Sequence, residues 1–167
     1  MKTLLLLRHG KAERDAPGGD HERTLTERGT RNSEAMGKYL AAKIGCPDAV
    51  VSSDAKRAYQ TAELAVSAGG CRAQVVANPK IYLADVDTLI DVVRNLPAEA
   101  ASVMLVGHNP AFEGLANILT ETGTPANSLP TAGLVQLEFD VQHWTDVLPG
   151  GGVLRGLHTP DDIAGEA

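Results

Sequence analysis

The sequence lacks an excess of positive charge. Its 167 residues include 15 Lys and Arg against 21 Asp and Glu, which gives a formal net charge of −6. Surfaces that bind nucleic acid or anionic membranes are normally basic, so this balance argues against both as general partners. A small basic pocket is still compatible with it, because a pocket depends on local charge and not on the sum.

Cysteine is also scarce. Cys46 and Cys71 are the two cysteines of the chain, and they form neither a C-x-x-C pair nor a spacing typical of metal ligands. We therefore expect two reduced, partly buried thiols, as in cytosolic proteins. Zinc normally takes three or four nitrogen, sulfur or oxygen ligands, and the sequence has no compact motif of that kind. The prediction is a protein without metal or cofactor.

Long hydrophobic runs are missing as well, since no run approaches the ~18 apolar residues that a membrane-spanning helix needs. The apolar run from Leu4 to Leu7 is too short for a secretory signal peptide. Arg8 and His9 follow it at once, without a small-residue cleavage site. These features predict a cytoplasmic protein with no membrane partner.

The composition is that of an ordinary folded domain, with 43% hydrophobic and 22% charged residues. We expect one domain over residues 1–157 and a loose polar tail over residues 158–167. Short apolar runs alternate with stretches of helical periodicity, which is typical of an α/β domain with a mostly parallel sheet. The sequence predicts strands over 3–7, 49–51, 73–77, 102–106, 133–139 (near an edge) and 144–148, and helices over 26–44, 55–68, 87–95 and 109–120.

Several polar residues follow the predicted strands directly, and ligands of open α/β sheets bind beyond the carboxyl ends of the strands. Arg8 and His9 follow the first strand, Arg57 lies shortly after the second, and His108 follows the fourth. The planar guanidinium group of arginine matches the geometry of phosphate oxygens, and a neutral imidazole is a competent nucleophile. Asn109, read as a helix cap, would add free N–H groups at the same place. The constellation predicts a site for a phosphoryl group, in preference to a metal site.

Four segments in this order resemble the histidine phosphatase superfamily, and within it the small SixA-type phosphohistidine phosphatases. They are Leu7-Arg8-His9-Gly10 followed by Ala12-Glu13, then Arg23-Thr24-Leu25-Thr26-Glu27-Arg28-Gly29, then Ser52-Ser53 with Arg57-Ala58-Tyr59-Gln60-Thr61-Ala62, and finally Val106-Gly107-His108-Asn109-Pro110. The match runs over residues 3–140. The resemblance implies a three-layer α/β/α fold of the phosphoglycerate mutase type, with a mostly parallel central sheet.

The resemblance also implies roles for particular residues. His9 would attack phosphorus and carry the phosphoryl group as a phosphohistidine, while Arg8, Arg57 and His108 would surround the phosphoryl oxygens. The arginines should help to keep His9 neutral, because like charge disfavours its protonated form. His108, in contrast, would help most when it is protonated and donates to an oxygen.

The proton donor for the leaving group is not evident from the sequence. Asp20, in the long loop over residues 11–24, matches an acidic position of the SixA-type pattern and is the first candidate. Glu13 and Asp85 are weaker ones. A phosphorylated imidazole can depart as a neutral ring if its other nitrogen is protonated, so a site with a poor acid would favour P–N over P–O substrates.

Three functions follow from these residues. The leading one is a phosphatase that removes phosphate through a covalent phosphohistidine on His9, with a phosphorylated histidine phosphotransfer domain as its protein partner. A phosphatase for a small phosphorylated metabolite or nucleotide is the alternative, and a phosphate-binding module without catalysis is a third. The presence of both histidines and both arginines favours an enzyme, and we expect it to be a monomer.

Overall fold

The computed structural model describes residues 1–120 and 129–164, which form one six-stranded sheet with helices on both faces. The strands are β1 (Lys2–Arg8), β2 (Ala49–Ser52), β3 (Val75–Ala77), β4 (Ser102–Gly107), β5 (Leu134–Phe139) and β6 (Gly152–His158). The α-helices are α1 (Glu27–Tyr39), which continues as a wider turn over Leu40–Ile44, α2 (Lys56–Gly69), α3 (Val86–Arg94), α4 (Ala111–Leu119) and α5 (Pro160–Ala164).

The sheet has the strand order β3-β2-β4-β1-β5-β6. Strands β1 to β4 are mutually parallel, β5 is antiparallel to β1, and β6 is antiparallel to β5. In the register of these strands Arg8 lies opposite Gly107, and Ser52 lies opposite Val106. The carboxyl ends of β1, β2 and β4 therefore meet at one edge of the sheet.

The core has two halves, one on each face of the sheet, so the predicted three-layer α/β/α architecture is confirmed. Leu4 and Leu6 point to the layer of α3 and α4, and Leu5 and Leu7 point to the layer of α1 and α2. All four leucines have no exposed surface. An unbroken apolar run is what a parallel strand covered on both faces requires.

Two expectations about the carboxyl-terminal strands are wrong. Strand β5 does not lie at an edge, because β6 pairs with its outer side. The segment predicted as a strand over residues 144–148 begins instead with a short 3-10 turn at Trp144–Asp146, and the indole Nε1 of Trp144 donates to the Ala100 carbonyl oxygen. The sequence pattern does not predict strand β6, because the glycines of this strand interrupt the alternation of apolar and polar residues.

The described part of the predicted loose tail has regular secondary structure. Strand β6 extends to His158, and α5 follows at once. The hydroxyl oxygen of Thr159 accepts a hydrogen bond from the Asp162 N–H, and Ile163 packs into the layer of α1 and α2. One buried isoleucine anchors this helix. Residues 165–167 of the predicted tail lie outside the described part of the chain.

Asn109 does not cap a helix, contrary to the sequence prediction. Helix α4 begins at Ala111, and the Asn109 side chain donates instead to Glu113 Oε1 at 3.0 Å and to the Leu129 carbonyl oxygen at 2.9 Å. Leu129 lies 20 residues further along the chain. This long-range partner cannot be read from the local pattern, which is why the prediction failed.

The prediction of two reduced thiols is also wrong, because Cys46 and Cys71 form a disulfide bond. Their separation of 25 residues matches no local motif. Cys46 follows the helical segment that starts with α1, and Cys71 follows α2. Both helices run back from the carboxyl edge of the sheet, so their ends meet at the opposite edge. Disulfides are typical of oxidising compartments, so the cysteines no longer support a cytoplasmic location. Among the described residues, no helix has the length and apolar character needed to cross a membrane.

Candidate active site

The carboxyl edge of the sheet brings His9 and His108 together, as expected if the strands that precede them are parallel neighbours. The backbone N–H of His9 donates to the Gly107 carbonyl oxygen at 2.9 Å, so each histidine directly follows the end of one of two paired strands. The centroids of the two imidazole rings lie 5.2 Å apart, and their planes are tilted by 56°.

The His9 ring has a defined tautomer. Its Nδ1 donates to the carbonyl oxygen of Gly10 at 2.7 Å, since a carbonyl oxygen can only accept. In the neutral ring the other nitrogen, Nε2, then carries a lone pair. Gly10 is held by a bond from its N–H to Thr61 Oγ1, and a Cβ atom at this position would come within 2.7 Å of the Gly29 carbonyl oxygen. The close approach of this loop to α1 explains why glycine follows the histidine.

The environment of His9 keeps it neutral. Only 9% of the residue is exposed, and this burial is the largest of the causes that together lower the pKa of the ring to about 4. The positive charges of Arg57, Arg8 and Arg23 contribute to the lowering, and the bond to Gly10 opposes it. His9 is consequently a neutral imidazole near pH 7, as expected from its arginine neighbours.

Two arginines reach the same site from different elements. Arg8 ends β1, and its Nη1 donates to the Leu129 carbonyl oxygen at 3.0 Å. Arg57 lies in the first turn of α2, is 5% exposed, and donates from Nη1 to the Asp20 carbonyl oxygen at 2.8 Å. Within the described ranges, the Nε atoms of both guanidinium groups are buried without a hydrogen-bond partner. Donors of this kind suit the oxygens of a bound anion.

His108 contacts Ser53 and is neutral. Its Nε2 lies 2.8 Å from Ser53 Oγ, and its Nδ1 is buried without a partner among the residues that the structure describes. Burial is the largest cause that lowers the pKa of His108 to about 3, and the charge of Arg57 acts in the same direction. A protonated His108 was expected from its proposed role, whereas this environment holds the ring neutral at pH 7.

Asp20 lies at the site, next to Arg57, but it accepts hydrogen bonds from three side chains. The donors are Tyr82 Oη at 2.6 Å, Arg23 Nε at 2.9 Å and Arg57 Nη2 at 3.2 Å. The Tyr82 bond is the largest cause that lowers the pKa of Asp20 to about 2, and the two arginines add to it. A carboxylate held in this way is a poor proton donor.

The two weaker acid candidates lie in different surroundings. Glu13 is exposed, and its main-chain oxygen accepts a hydrogen bond from Arg23 Nη1 at 2.8 Å. Asp85 caps α3 by accepting the Thr88 N–H at 2.8 Å, and this bond lowers the pKa of its carboxyl group. Asp85 is thus engaged as a helix cap.

The site predicted from the sequence did not include Tyr82, Arg23 or Ser53. Tyr82 follows a short strand and a 3-10 turn, where no pattern marks it, yet its ring centroid lies 5.7 Å from that of His108. Arg23 and Ser53 stand inside the segments that carried the family resemblance, which was the available signal. Beside them lies a cavity of about 480 Å³, lined in part by Arg57, Tyr82, Asp85 and His108.

The remaining histidines have other surroundings. His21 Nε2 lies 3.0 Å from Asp54 Oδ1 at the rim of the site, with its ring 4.8 Å from that of Tyr82. His158 Nδ1 lies 3.3 Å from the hydroxyl group of Tyr39. In the described part of the chain, no three His, Cys, Asp or Glu side chains are grouped so that they could hold a metal ion.

Comparison with known proteins places this geometry in a family. The model of the histidine phosphatase superfamily (branch 1) matches residues 4–81. An uncharacterised protein of Mycobacterium tuberculosis is 32% identical over 162 residues, which are 92% of this chain and 99% of the relative.

Two solved structures, both provisionally assigned as phosphohistidine phosphatase SixA, share the fold. The protein from Agrobacterium tumefaciens is 29% identical with a TM-score of 0.80, covering 95% of this chain and 98% of that one. The protein from Nakamurella multipartitia is 27% identical with a TM-score of 0.82, covering 95% and 96%. With two histidines and two arginines at one edge of this fold, the chain belongs to the histidine phosphatase superfamily, branch 1, and within it to the SixA-type branch.

Proposed function

We propose that this phosphatase hydrolyses protein phosphohistidine through a covalent phosphohistidine on His9. The observation that carries the proposal is the state of the His9 ring. Its Nδ1 is occupied by the Gly10 carbonyl oxygen, so the neutral ring offers the Nε2 lone pair beside Arg8 and Arg57. A neutral imidazole with one fixed tautomer is the form that a nucleophile requires.

In the first step, Nε2 of His9 attacks the phosphorus atom in line with the leaving group. The new N–P bond forms while the bond from phosphorus to the substrate breaks, and its electron pair departs with the leaving group. Loss of electron density from Nε2 gives a phosphorylated imidazole whose Nδ1 proton is retained by the bond to Gly10.

In the second step, water attacks the phosphorus of phosphorylated His9. A P–O bond forms, the P–N bond breaks, and its electron pair returns to Nε2. Inorganic phosphate leaves, together with the proton that the water gives up, and His9 is neutral again. Arg8 and Arg57 stabilise the charge on the phosphoryl oxygens in both steps, which is where most of the rate enhancement of phosphoryl transfer arises.

The states of the candidate acids favour a substrate in which phosphorus is bonded to nitrogen. Asp20 is ionised and bound to three donors, and Asp85 caps α3, so neither is poised to protonate an alkoxide leaving group. A phosphohistidine whose second ring nitrogen is protonated needs no such acid, because it departs as a neutral imidazole. The rim also suits a protein surface: Leu83 borders the cavity and is 82% exposed. A phosphorylated histidine phosphotransfer domain is therefore the proposed partner.

The test is a comparison of substrates with one enzyme preparation. Turnover of a 32P-labelled histidine phosphotransfer domain is measured beside sugar phosphates, nucleotides and an aryl phosphate, with H9A as the control. We expect kcat/KM to be highest for the phosphorylated domain and phosphate release to disappear in H9A. Equal or faster turnover of a small phosphate would remove the protein substrate from the proposal.

A second candidate is a phosphatase for a small phosphorylated metabolite. The cavity of about 480 Å³ beside Arg57 and His108 favours it, because pockets of this size accommodate small ligands. The same panel decides between the two substrates. Absence of phosphate release from every substrate would instead favour a phosphate-binding module without catalysis.

A further inference from the structure

Ser53 is a fully buried serine that the proposed chemistry does not use. It follows β2, has no exposed surface, and its backbone N–H donates to the Val106 carbonyl oxygen at 2.9 Å. This bond extends the pairing of β2 with β4 by one step. It fixes Ser53 next to the end of β4, where His108 begins the following loop.

The hydroxyl group of Ser53 stands between a backbone donor and the His108 ring. Its oxygen accepts from the Ala55 N–H at 3.2 Å, and it lies 2.8 Å from His108 Nε2. A hydroxyl group has one hydrogen to donate and two lone pairs. With one lone pair engaged by Ala55, its hydrogen can be donated to Nε2. In this arrangement the ring proton of His108 must be on Nδ1.

The position of that proton matters because His108 is neutral. An imidazolium would donate from both nitrogens whatever its partner, whereas a neutral ring donates from one, and the bond at the other nitrogen selects it. His108 Nδ1 is buried and has no partner within residues 1–120 and 129–164. An N–H there would be ready to bind an anionic oxygen, while a bare Nδ1 lone pair would repel it.

We propose that Ser53 is a positioning residue, which donates its hydroxyl hydrogen to His108 Nε2 and so presents the Nδ1–H of His108 to a phosphoryl oxygen. The contact between His108 and a phosphoryl oxygen rests on the proposed function. The tautomer of His108 in the free protein does not rest on it, so the tautomer can be tested separately.

The first experiment determines the tautomer by NMR. Protein labelled with 15N-histidine is studied at pH 7, and the His108 ring signals are identified by their loss in H108Q. Two-bond 15N–1H couplings are expected to show the proton on Nδ1 in the wild type and on Nε2, or on both in exchange, in S53A. A proton on Nε2 in the wild type, or an unchanged Nδ1 proton in S53A, would overturn the proposal.

The second experiment separates positioning from general loosening of the fold. S53A is expected to lower kcat by about 10- to 100-fold, as is typical when the partner that orients a functional histidine is removed. S53T, which keeps the hydroxyl group, should recover most of kcat, and S53C, which keeps the size but donates weakly, should not. Equal kcat values for S53C and the wild type would contradict the assignment.

Ser52 offers a matched control. It is the adjacent serine, also with no exposed surface, but its hydroxyl group donates to the Ser53 carbonyl oxygen at 2.8 Å and to neither histidine. S52A should keep kcat within about twofold and leave the His108 tautomer unchanged. A loss of kcat in S52A as large as that in S53A would show that any buried hydroxyl group at this strand end has the same effect, and would overturn the proposal.

Binding of tungstate, a tetrahedral anion, separates a failure of this inference from a failure of the proposed function. If the wild type hydrolyses no phosphate compound, the proposed function fails, but the dissociation constant of tungstate still reports on the site. S53A is then expected to weaken tungstate binding at least about tenfold, with S53T close to the wild type. Equal affinities of S53A, S53C and the wild type would reject the role of Ser53.

Discussion

Nδ1 of His9 donates a hydrogen bond of 2.7 Å to the carbonyl oxygen of Gly10, the next residue in the chain. His108, in contrast, contacts Ser53, which is 55 residues away. The tautomer of the first ring is therefore set by local backbone and that of the second by tertiary structure. The two histidines of the site can be perturbed independently for this reason.

Removal of the His9 ring should abolish phosphate release. We expect H9A to lower kcat on an aryl phosphate by at least about 10³-fold, because His9 supplies the attacking nitrogen in the proposed mechanism. Acid-stable and acid-labile phosphate are measured after rapid quenching, and an acid-labile protein-bound phosphate should be present in the wild type alone. H143A is the matched control, since His143 is exposed and distant from the site in the fold. Normal turnover by H9A would exclude the covalent mechanism.

Removal of the Arg57 guanidinium group should weaken both anion binding and turnover. R57A is expected to lower kcat/KM by about 10²- to 10³-fold, the effect of losing one donor to the charge of a transition state. The exposed Arg155, which pairs with Glu138 on β6 and β5, provides R155A as a control that removes the same charge elsewhere. Kinetics of R57A that match those of R155A would remove Arg57 from the site.

Asp20 should act through Arg57 and not as the proton donor to the leaving group. A lost general acid slows poor leaving groups most, because these need the proton in the transition state. We expect D20N to change kcat/KM by a similar factor for an aryl phosphate and an alkyl phosphate. The measurement is the ratio of the two values in D20N and in the wild type. A ratio that changes more than about tenfold against the alkyl phosphate would restore Asp20 as the proton donor.

Stability should decline as the pH falls below the ordinary pKa of histidine. His9 has a pKa of 6.5 in the unfolded chain and about 4 in the folded protein, so between these values the unfolded state binds the extra proton. Unfolding is therefore favoured progressively from pH 6.5 down to pH 4, by about 3 kcal/mol for this group. Urea unfolding at several pH values checks this. The slope should be smaller in H9Q, and an identical slope in both proteins would contradict the buried neutral ring.

The disulfide should contribute to stability and not to catalysis. A crosslink between Cys46 and Cys71 closes a loop with a separation of 25 residues, for which about 3 kcal/mol of stabilisation is expected. C46S/C71S should therefore unfold at lower urea concentration than the oxidised wild type. Its kcat should be unchanged at 25 °C, because the bond lies at the sheet edge opposite His9. A matching loss of kcat in the folded variant would show that the two ends of the molecule are coupled.

The sequence by itself determined the α/β architecture and which four side chains meet at the candidate site. Apolar runs such as Leu4 to Leu7 predict buried parallel strands, because such strands are covered on both faces. Parallel strands end at the same edge of a sheet, so the sequence alone predicts that Arg8 and His108 lie close together. These inferences depend on periodicity and on strand direction, which local sequence carries.

Only the tertiary structure decided the electrostatic state of the site and the long-range pairs. Asp20 is bound by Tyr82, which lies 62 residues away, and His108 is neutral because burial and its charged neighbours act on it together. Cys46 meets Cys71 because two helices return to the same edge of the sheet. Hydrogen bonds, desolvation and disulfides depend on distances of a few ångströms between segments far apart in the chain, and a pattern of residue types does not contain those distances.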